Sequence, residues 1–352
     1  MTTSRTLRVL HVTECFAGGV KTALEGYAAL DLPIEHHIIQ SARRHPDKLT
    51  SPNPDLFNTI SVLPYGHVAA VKATIKAIRE VQPDVVHAHS SFGGVYGRLA
   101  AKLTRTPVVY TPHGLSFERR DISKKKRFVF KQIERAFSWL STVQAGCASY
   151  ETELLKSLNS RSIVEVVPNA IANSGLASNS QVSSEPADIQ RSISFIGRIA
   201  EAKHPEMAID IAKIATKKGI TCQWIGDGDA VMKQSLVDSG IHVTGWLAKA
   251  EMADSLQGID VVVHTARWEG FPMVILEMLD VGKPLLVEDI PALYECPSEA
   301  RYNTAEEALT KLELLLSGSL KPDWSPVTDL YNRRTQADRL LHCYQVAAGI
   351  EQ

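Results

Sequence analysis

Short apolar runs alternate with predicted helices along this chain, starting from a strand predicted over residues 7–12. Another run, Ile-Asp-Val-Val-Val-His-Thr at 259–265, is rich in β-branched residues and predicts a buried parallel strand. Alternation of strand and helix is typical of an α/β protein with doubly wound parallel sheets. The 352 residues exceed one ordinary domain and suit two, each large enough to bury a substantial core.

One segment interrupts this alternation. Residues 172–186 are rich in Ser and Asn and poor in large apolar side chains, so they predict an interdomain linker. We therefore divide the chain into a first domain at 1–172, a linker at 173–190 and a second domain at 191–326. The remaining segment, 327–352, is predicted to be mainly helical.

One turn, which reads Glu-Gly-Phe-Pro-Met-Val-Ile-Leu-Glu from Glu269 to Glu277, joins two carboxylates to the start of a helix. Proline suits the first helical position, so we expect the helix to begin near Pro272. The backbone N–H groups of Met273 and Val274 would then bind an anion at the positive end of the helix dipole. A site that binds a phosphate at the helix start and sugar hydroxyls through nearby carboxylates fits a sugar nucleotide. An isolated pair of glutamates is more often a solvated helix face.

A second strand-to-helix loop carries two cations. Residues 192–205 read Ser-Ile-Ser-Phe-Ile-Gly-Arg-Ile-Ala-Glu-Ala-Lys-His-Pro, which predicts a strand, a loop and a helix opened by proline. Arg198 would bind a diphosphate by bidentate hydrogen bonds and Lys203 as a mobile point charge, and together they could replace a metal. Taken alone, such charges are more often ordinary solvated surface residues.

In combination, these motifs resemble the family-4 retaining glycosyltransferases, whose GT-B architecture has two facing Rossmann-like domains with an interdomain cleft. The resemblance covers nearly the whole chain, and its motifs occur in the family's order. They are Ala-Gly-Gly-Val at 17–20, Val-Val-His-Ala-His at 85–89, Thr-Pro-His-Gly at 111–114, Val-Pro-Asn-Ala at 167–170, Phe-Ile-Gly-Arg at 195–198 with Lys203, Trp-Ile-Gly-Asp-Gly at 224–228, Val-Thr-Gly at 243–245 and the paired-glutamate turn. One departure is His204, which follows Lys203 where glycine is common in the family.

The resemblance implies roles for individual residues. Arg198 and Lys203 would bind the donor diphosphate, and Glu277 would accept from the ribose hydroxyls. Glu269 would hold the transferred sugar, and His113 would contact it near the reacting carbon. The C-terminal helix would cross back to the first domain, which binds acceptors in this family. The implied catalytic set is Arg198, Lys203, Glu269 and His113, and the implied donor-binding set is Gly18, Gly19, Gly245, Leu247, Gly270, Phe271, Met273, Val274 and Glu277.

The resemblance also implies a mechanism. In retaining transferases of this kind the leaving diphosphate takes the acceptor proton on the same face, so no enzyme nucleophile is required. Arg198, Lys203 and the helix start would stabilise the charge that develops on the diphosphate. We therefore expect no metal and no cofactor beside the nucleoside diphosphate sugar itself, and we interpret Glu269 as a sugar-positioning residue.

Composition bears on nucleic-acid binding, cellular location and metal binding. A net charge of −1 argues against general nucleic-acid binding. No apolar stretch is long enough to span a membrane and the first residues lack a signal-peptide core, so we expect a cytoplasmic protein. Five cysteines without paired spacing indicate buried thiols in a reducing compartment. His87 and His89 could suggest a metal, but no carboxylate or Cys lies nearby, and we expect His89 to line the cleft without one.

A basic segment at 119–131 bears on the acceptor, since it combines many Lys and Arg residues with aromatic ones in the first domain. Such a segment can lie on an anionic membrane surface, which would make the protein peripheral on the inner face of the membrane. The alternative is a solvated helix whose Phe128 and Phe130 partly pack inward.

The predicted function is transfer of a sugar, with retention, from a nucleoside diphosphate sugar to a hydroxyl of a glycan or lipid-linked glycan precursor. A UDP-sugar donor and bacterial cell-surface polysaccharide synthesis are the favoured case. Two alternatives stay open: a sugar-nucleotide epimerase of GT-B architecture, and a non-catalytic protein that binds sugar nucleotides. Nucleotide release that depends on added acceptor separates the three.

Overall fold

The computed structural model describes residues 5–41, 51–171 and 191–350. The fold divides into two units: the first is Met1–Ala172 with Leu330–Gln352, and the second is Asn173–Asp329. Each unit has one parallel sheet with intervening helices, which confirms the predicted α/β class. The linker predicted at 173–190 lies outside the described residues. Within the described ranges, no helix has both the length and the apolar character needed to cross a bilayer.

The first unit is built on a seven-stranded sheet. Its strands are β1 (Leu7–Thr13), β2 (Ile34–Gln40), β3 (Thr59–Val62), β4 (Val85–His89), β5 (Val108–Thr111), β6 (Val143–Gly146) and β7 (Ile163–Val166). They lie in the order β3-β2-β1-β4-β5-β6-β7, and their pairings are parallel. The strand order reverses between β1 and β4, which is the position where open α/β sheets bind ligands at their carboxyl edge.

Two layers of helices cover this sheet. The helices are α1 (Gly18–Ala28), α2 (His67–Val81), α3 (Ser91–Thr104), α4 (Lys124–Ser138), α5 (Ser149–Leu158) and α12 (Arg333–Ala348). Successive strand residues point to opposite faces. Leu10 on one face therefore packs in a cluster with α2 and α3, whereas Val9 on the other packs with Tyr27 of α1 and Tyr344 of α12. The last long helix of the chain thus completes the core of the first unit.

The second unit has a six-stranded sheet. Its strands are β8 (Ser192–Ile196), β9 (Thr221–Ile225), β10 (His242–Gly245), β11 (Val261–His264), β12 (Leu285–Glu288) and β13 (Arg301–Tyr302). Its helices are α6 (Pro205–Lys217), α7 (Ala230–Asp238), α8 (Lys249–Gln257), α9 (Met273–Asp280), α10 (Ala305–Leu316) and α11 (Ser325–Leu330), the last of which ends at the boundary between the units. The parallel order is β10-β9-β8-β11-β12-β13, so the reversal falls between β8 and β11.

Helix α4, which contains most of the predicted basic segment, is fixed by a buried ion pair. The fully buried Arg98 of α3 donates through Nη2 to Glu134 Oε2 at 3.0 Å. Its guanidinium lies 3.7 Å from the centre of the Tyr110 ring, and the Tyr110 hydroxyl donates to Glu134 Oε1 at 3.1 Å. On the same helix Phe130 packs partly inward, but Phe128 is 64% exposed, so the alternative in which both rings pack partly inward is wrong for Phe128.

Removing the carboxylate of this pair should destabilise the first unit. Glu134→Ala leaves the Arg98 guanidinium buried without its partner, and we expect the free energy of unfolding to fall by roughly 3–5 kcal/mol. The control is Glu80→Ala, which breaks an exposed pair with Lys76 at 3.6 Å and should change stability by less than about 0.5 kcal/mol. Denaturant titration measures both; equally small changes would show that the buried pair does not secure α4.

Candidate active site

Two loops of the second unit bring a predicted phosphate-binding residue and a predicted sugar-binding residue together. The loop after β8 carries Arg198 and Lys203, and the loop after β11 carries Glu269. Because β8 and β11 are neighbouring parallel strands, both loops leave the same sheet edge. Lys203 Nζ forms an ion pair with Glu269 Oε1, and each side chain is 19% exposed. The fold therefore brings into contact a cation and a carboxylate that lie far apart in the sequence.

Further contacts hold these two loops to each other. The Thr265 hydroxyl donates to the carbonyl oxygen of Lys203 at 2.6 Å. The Arg267 guanidinium pairs with Glu201 at 3.3 Å and with Glu206 at 2.9 Å, and so ties the second loop to the start of α6. These contacts fix the end of the first loop from which the Lys203 side chain extends.

A buried carboxylate that sequence reasoning missed supports the same loops. Glu288 ends β12 and is 7% exposed. Its Oε2 accepts a hydrogen bond from Ala266 N–H at 2.9 Å, and its Oε1 lies 2.6 Å from His204 Nδ1. His204 has φ 49°, in the left-handed region that favours glycine, which is the residue expected there from the family pattern. The contact between Glu288 and the imidazole helps to hold the His204 backbone in this conformation. The sequence feature that could have identified Glu288 is its position as a carboxylate at the end of an apolar strand.

Glycines let the loops after β8, β9 and β10 approach closely. Gly197, Gly226 and Gly245 have φ values of 140°, 139° and 78°. A Cβ on Gly226 would lie 2.1 Å from the carbonyl oxygen of Gly197, to which the Trp224 indole donates at 2.8 Å. Gly226 N–H also donates to the carbonyl oxygen of Gly245 at 3.1 Å. The predicted donor-binding Gly245 is thereby connected to the loop that carries Arg198.

The remaining predicted residues of the second unit differ in exposure. Arg198 is exposed, and no residue of the described ranges hydrogen-bonds or pairs with its side chain. Helix α9 begins at Met273, one residue after the predicted start, because Pro272 is its N-cap with an extended ψ of 127°. The structure buries Gly270, Phe271 and Met273 and leaves Leu247, Val274 and Glu277 partly exposed.

The first unit holds Gly18, Gly19 and His113. The two glycines are exposed at the start of α1, and Gly18 has φ 53°. His113 follows β5 with φ 51°, and its Nε2 lies 3.1 Å from Nδ1 of His89. Burial lowers the pKa of His113 to about 4, so its imidazole is neutral at pH 7.

A second buried glutamate, also missed in the sequence, holds the His113 loop. Glu151 lies in the first turn of α5, where Oε1 accepts from Gly114 N–H at 2.6 Å and Oε2 accepts from Cys147 N–H at 2.8 Å. Burial raises the pKa of Glu151, and these two N–H donors oppose that shift. Its carboxylate fixes the backbone immediately after His113.

The histidine pair does not line a cleft. His89 is fully buried, as are His87 and His11, and nitrogen atoms of these three rings lie within 4.8 Å of one another. Three such nitrogens could hold a metal ion. Each ring nitrogen of the trio, however, already has a hydrogen-bond partner in the protein.

The sequence matches known families in both units. Residues 25–173 match the family described as Glycosyltransferase Family 4, and residues 190–311 match Glycosyl transferases group 1. The chain belongs to the family-4 glycosyltransferases. This glycosyltransferase is 26% identical over 258 residues to the UDP-Gal:alpha-D-GlcNAc-diphosphoundecaprenol alpha-1,3-galactosyltransferase of Escherichia coli, across 67% of this chain and 65% of that protein.

Solved structures agree on the fold of the glycosyltransferase. Anabaena Alr3699/HepE in complex with UDP and glucose aligns with a TM-score of 0.70 and 14% identity, over 96% of this chain and 98% of that one. A UDP-N-acetylglucosamine 2-epimerase aligns with a TM-score of 0.63 and 14% identity, over 99% of this chain and 98% of that one. These likenesses confirm the predicted GT-B fold of two Rossmann-like domains. Because an epimerase shares that fold, the family matches decide the class of enzyme.

Replacing Glu288 should loosen the loops of the glycosyltransferase that carry Lys203 and Glu269. Glu288→Ala leaves the buried Ala266 N–H without an acceptor, so we expect the free energy of unfolding to fall by roughly 1–3 kcal/mol and turnover to fall with it. Glu299→Ala removes an exposed carboxylate of the same unit and is the control. Thermal unfolding and activity are measured together; wild-type values in Glu288→Ala would show that the loops do not need this carboxylate.

Proposed function

We propose that this glycosyltransferase moves a sugar, with retention, from a UDP-sugar to a hydroxyl of a glycan or lipid-linked glycan precursor in bacterial cell-surface polysaccharide synthesis. One observation carries the proposal: the Lys203–Glu269 ion pair joins the cation expected at the diphosphate to the carboxylate expected at the sugar. The exposed Arg198 supplies a second cation on the same loop.

The proposed chemistry follows from these charges. The bond between the anomeric carbon and the diphosphate oxygen breaks, and a bond to the acceptor oxygen forms on the same face. The acceptor proton passes to the leaving diphosphate, so the protein supplies no nucleophile. Arg198, Lys203 and the N-terminus of α9 stabilise the negative charge that develops on the diphosphate, without a metal. Glu269 accepts from sugar hydroxyls and orients the anomeric carbon, and Glu277 accepts from the ribose.

The relatives support the donor and acceptor classes. The Escherichia coli relative is named for a UDP-Gal donor and a diphosphoundecaprenol-linked acceptor, and the Anabaena neighbour was crystallised with UDP and glucose. A lipid-linked acceptor that is used on the cytoplasmic side would require the enzyme to work at the inner face of the membrane.

Substitution of the two cations tests the site. Arg198→Ala and Lys203→Ala each remove a charge-assisted contact to the diphosphate, and we expect kcat/KM to fall roughly 10- to 150-fold, equivalent to about 1.5–3 kcal/mol. Lys213→Ala, on the exposed side of α6 in the same unit, is the matched control. Sugar transfer and thermal stabilisation by UDP are measured for all three. Unchanged transfer in both site variants would reject the proposed diphosphate site.

The same assay separates the alternatives. A transferase releases UDP only when acceptor is present, whereas an epimerase releases UDP and altered sugar without any acceptor. A non-catalytic binder is stabilised by UDP-sugar but releases no nucleotide. Both outcomes would contradict the proposal.

A surface on α4 supports membrane contact. The exposed apolar residues are Phe128 (64%), Val129 (53%), Ile133 (41%) and Trp139 (62%). Exposed basic residues of the same helix flank them, namely Lys124, Lys125, Lys126, Lys131 and Arg135. We call these residues the α4 surface. Exposed apolar residues interspersed with cations are compatible with a helix that lies in the interface of an anionic bilayer. The acceptor-binding unit would thus dock where a lipid-linked acceptor is held.

Charge reversal tests the α4 surface. The double variant Lys125→Glu, Lys126→Glu should bind anionic phosphatidylglycerol vesicles at least about tenfold more weakly, because each basic residue near the lipid contributes about 1 kcal/mol. The control is Lys213→Glu with Lys217→Glu, which reverses two exposed lysines of α6. Co-sedimentation measures binding, with phosphatidylcholine vesicles for comparison. Equal binding by both double variants would assign the attraction to the protein at large and not to α4.

A further inference from the structure

Histidines from adjacent strands form a row across the sheet of the first unit. His36 lies on β2, His11 on β1, His89 on β4 and His113 in the loop after β5. In this order, nitrogens of successive rings lie 2.9, 3.0 and 3.1 Å apart. We call these residues the histidine row. Its first three members are buried, and His113 is partly exposed.

Each link of the histidine row joins Nδ1 of one ring to Nε2 of the next, from His36 to His113. A neutral imidazole has one N–H donor and one acceptor nitrogen. If one ring carries its proton on Nδ1, its neighbour must accept at Nε2 and therefore also carries its proton on Nδ1. The opposite arrangement places each proton on Nε2. Only these two arrangements form all the links, so the tautomer at one end fixes the tautomer at the other.

The rings are neutral, as this coupling requires. Burial lowers the pKa of His11 and His89 well below the usual value, and neighbouring imidazoles lower it further. Burial lowers the pKa of His36 to about 4, with a contribution from His37, and the pKa of His113 to about 4. An imidazolium in the row would uncouple the two ends, because it donates from both nitrogens and so allows opposite tautomers on its two sides.

The far end of the row selects one arrangement. Nε2 of His36 is buried and has no hydrogen-bond partner in the part of the chain that the structure describes. A proton there would be a buried donor without an acceptor, and such orphaned N–H groups are rarer in native proteins than unsatisfied acceptors. The proton of His36 therefore belongs on Nδ1. The links then place the proton of His113 on its Nδ1 as well.

We propose that His36, His11 and His89 are positioning residues that hold His113 as the Nδ1–H tautomer, ready to donate to an oxygen of the donor sugar. Within the described ranges, no protein group binds His113 Nδ1, so this N–H is available to a ligand. The inference rests on the proposed function, in which His113 contacts the transferred sugar.

The tautomers can be observed directly. Long-range proton–nitrogen correlation spectra of the protein with ¹⁵N-labelled histidine, at pH 7 and without substrate, distinguish a protonated Nδ1 from a protonated Nε2. His113→Gln identifies the His113 signals by their loss. We expect protonated Nδ1 in all four rings of the row. Protonated Nε2 in His113, or mixed tautomers along the row, would overturn the proposal. So would a stoichiometric metal ion on His11, His87 and His89 in the purified protein.

Two substitutions at the far end separate tautomer control from a merely structural role. His36→Asp places an acceptor-only carboxylate beside His11 Nε2, so it should draw the proton to that atom and reverse the row. His36→Phe offers no acceptor, so the row should keep its direction. Both remove the same imidazole. We expect His113 to carry its proton on Nε2 only in the Asp variant, and kcat/KM to be about tenfold lower there than in the Phe variant.

Identical spectra and identical kcat/KM in the two folded variants would also overturn the proposal. If the Asp variant does not fold, the wild-type spectrum still decides the tautomer. The spectrum needs no substrate, so an inactive protein with the expected tautomers would count against the proposed function and not against the row.

Discussion

Parallel strand pairing is the constraint on which both candidate regions depend. In a parallel sheet, every loop that follows a strand leaves from the carboxyl edge, so residues distant in sequence meet there. In the second unit this edge joins Lys203, Glu269 and Glu288, which follow or end three neighbouring strands. In the first unit the pairing of β1 with β4 brings His11 and His89 side by side. The chemistry of each unit is therefore set by strand order rather than by proximity in the chain.

Buried carboxylates then fix the loops at these edges. Glu288 accepts from Ala266 N–H, and Glu151 accepts from two backbone N–H groups beside His113. Glu14, which follows β1, accepts from Gly93 N–H at the start of α3. Hydrogen bonds to an ionised acceptor are stronger than neutral ones, and each satisfies a donor that a loop would otherwise leave exposed or unpaired. The loops are thus held before a ligand arrives, which is the condition for preorganised electrostatic stabilisation.

Local patterns predicted what depends on local sequence. The run at 7–12 corresponds to β1 (Leu7–Thr13), and the alternation of strand and helix was sufficient for the fold class. The supporting residues could not be predicted in this way. Glu288 contacts Ala266 and His204, and both contacts require β11 to lie between β8 and β12, which no local pattern specifies. Likewise, the histidine row exists because β1 lies between β2 and β4.

The local sequence pattern also could not predict which side of α4 packs inward. The charge of the segment at 119–131 was evident in the sequence, but whether Phe128 or Phe130 packs inward depends on the orientation of α4. That orientation is set by Glu134, whose partner Arg98 lies on another helix.

The Lys203–Glu269 ion pair gives a physical reason why the site would prefer a sugar nucleotide over a nucleoside diphosphate without its sugar. A partly exposed ion pair contributes only about 0–1 kcal/mol, so it can be broken at little cost, yet it keeps both side chains in position. In the proposed function a sugar nucleotide gives each partner a replacement, since the diphosphate attracts Lys203 and sugar hydroxyls donate to Glu269. A nucleoside diphosphate alone replaces only the partner of Lys203 and leaves the carboxylate close to added negative charge. The same carboxylate would therefore orient the substrate sugar and weaken retention of the product nucleotide.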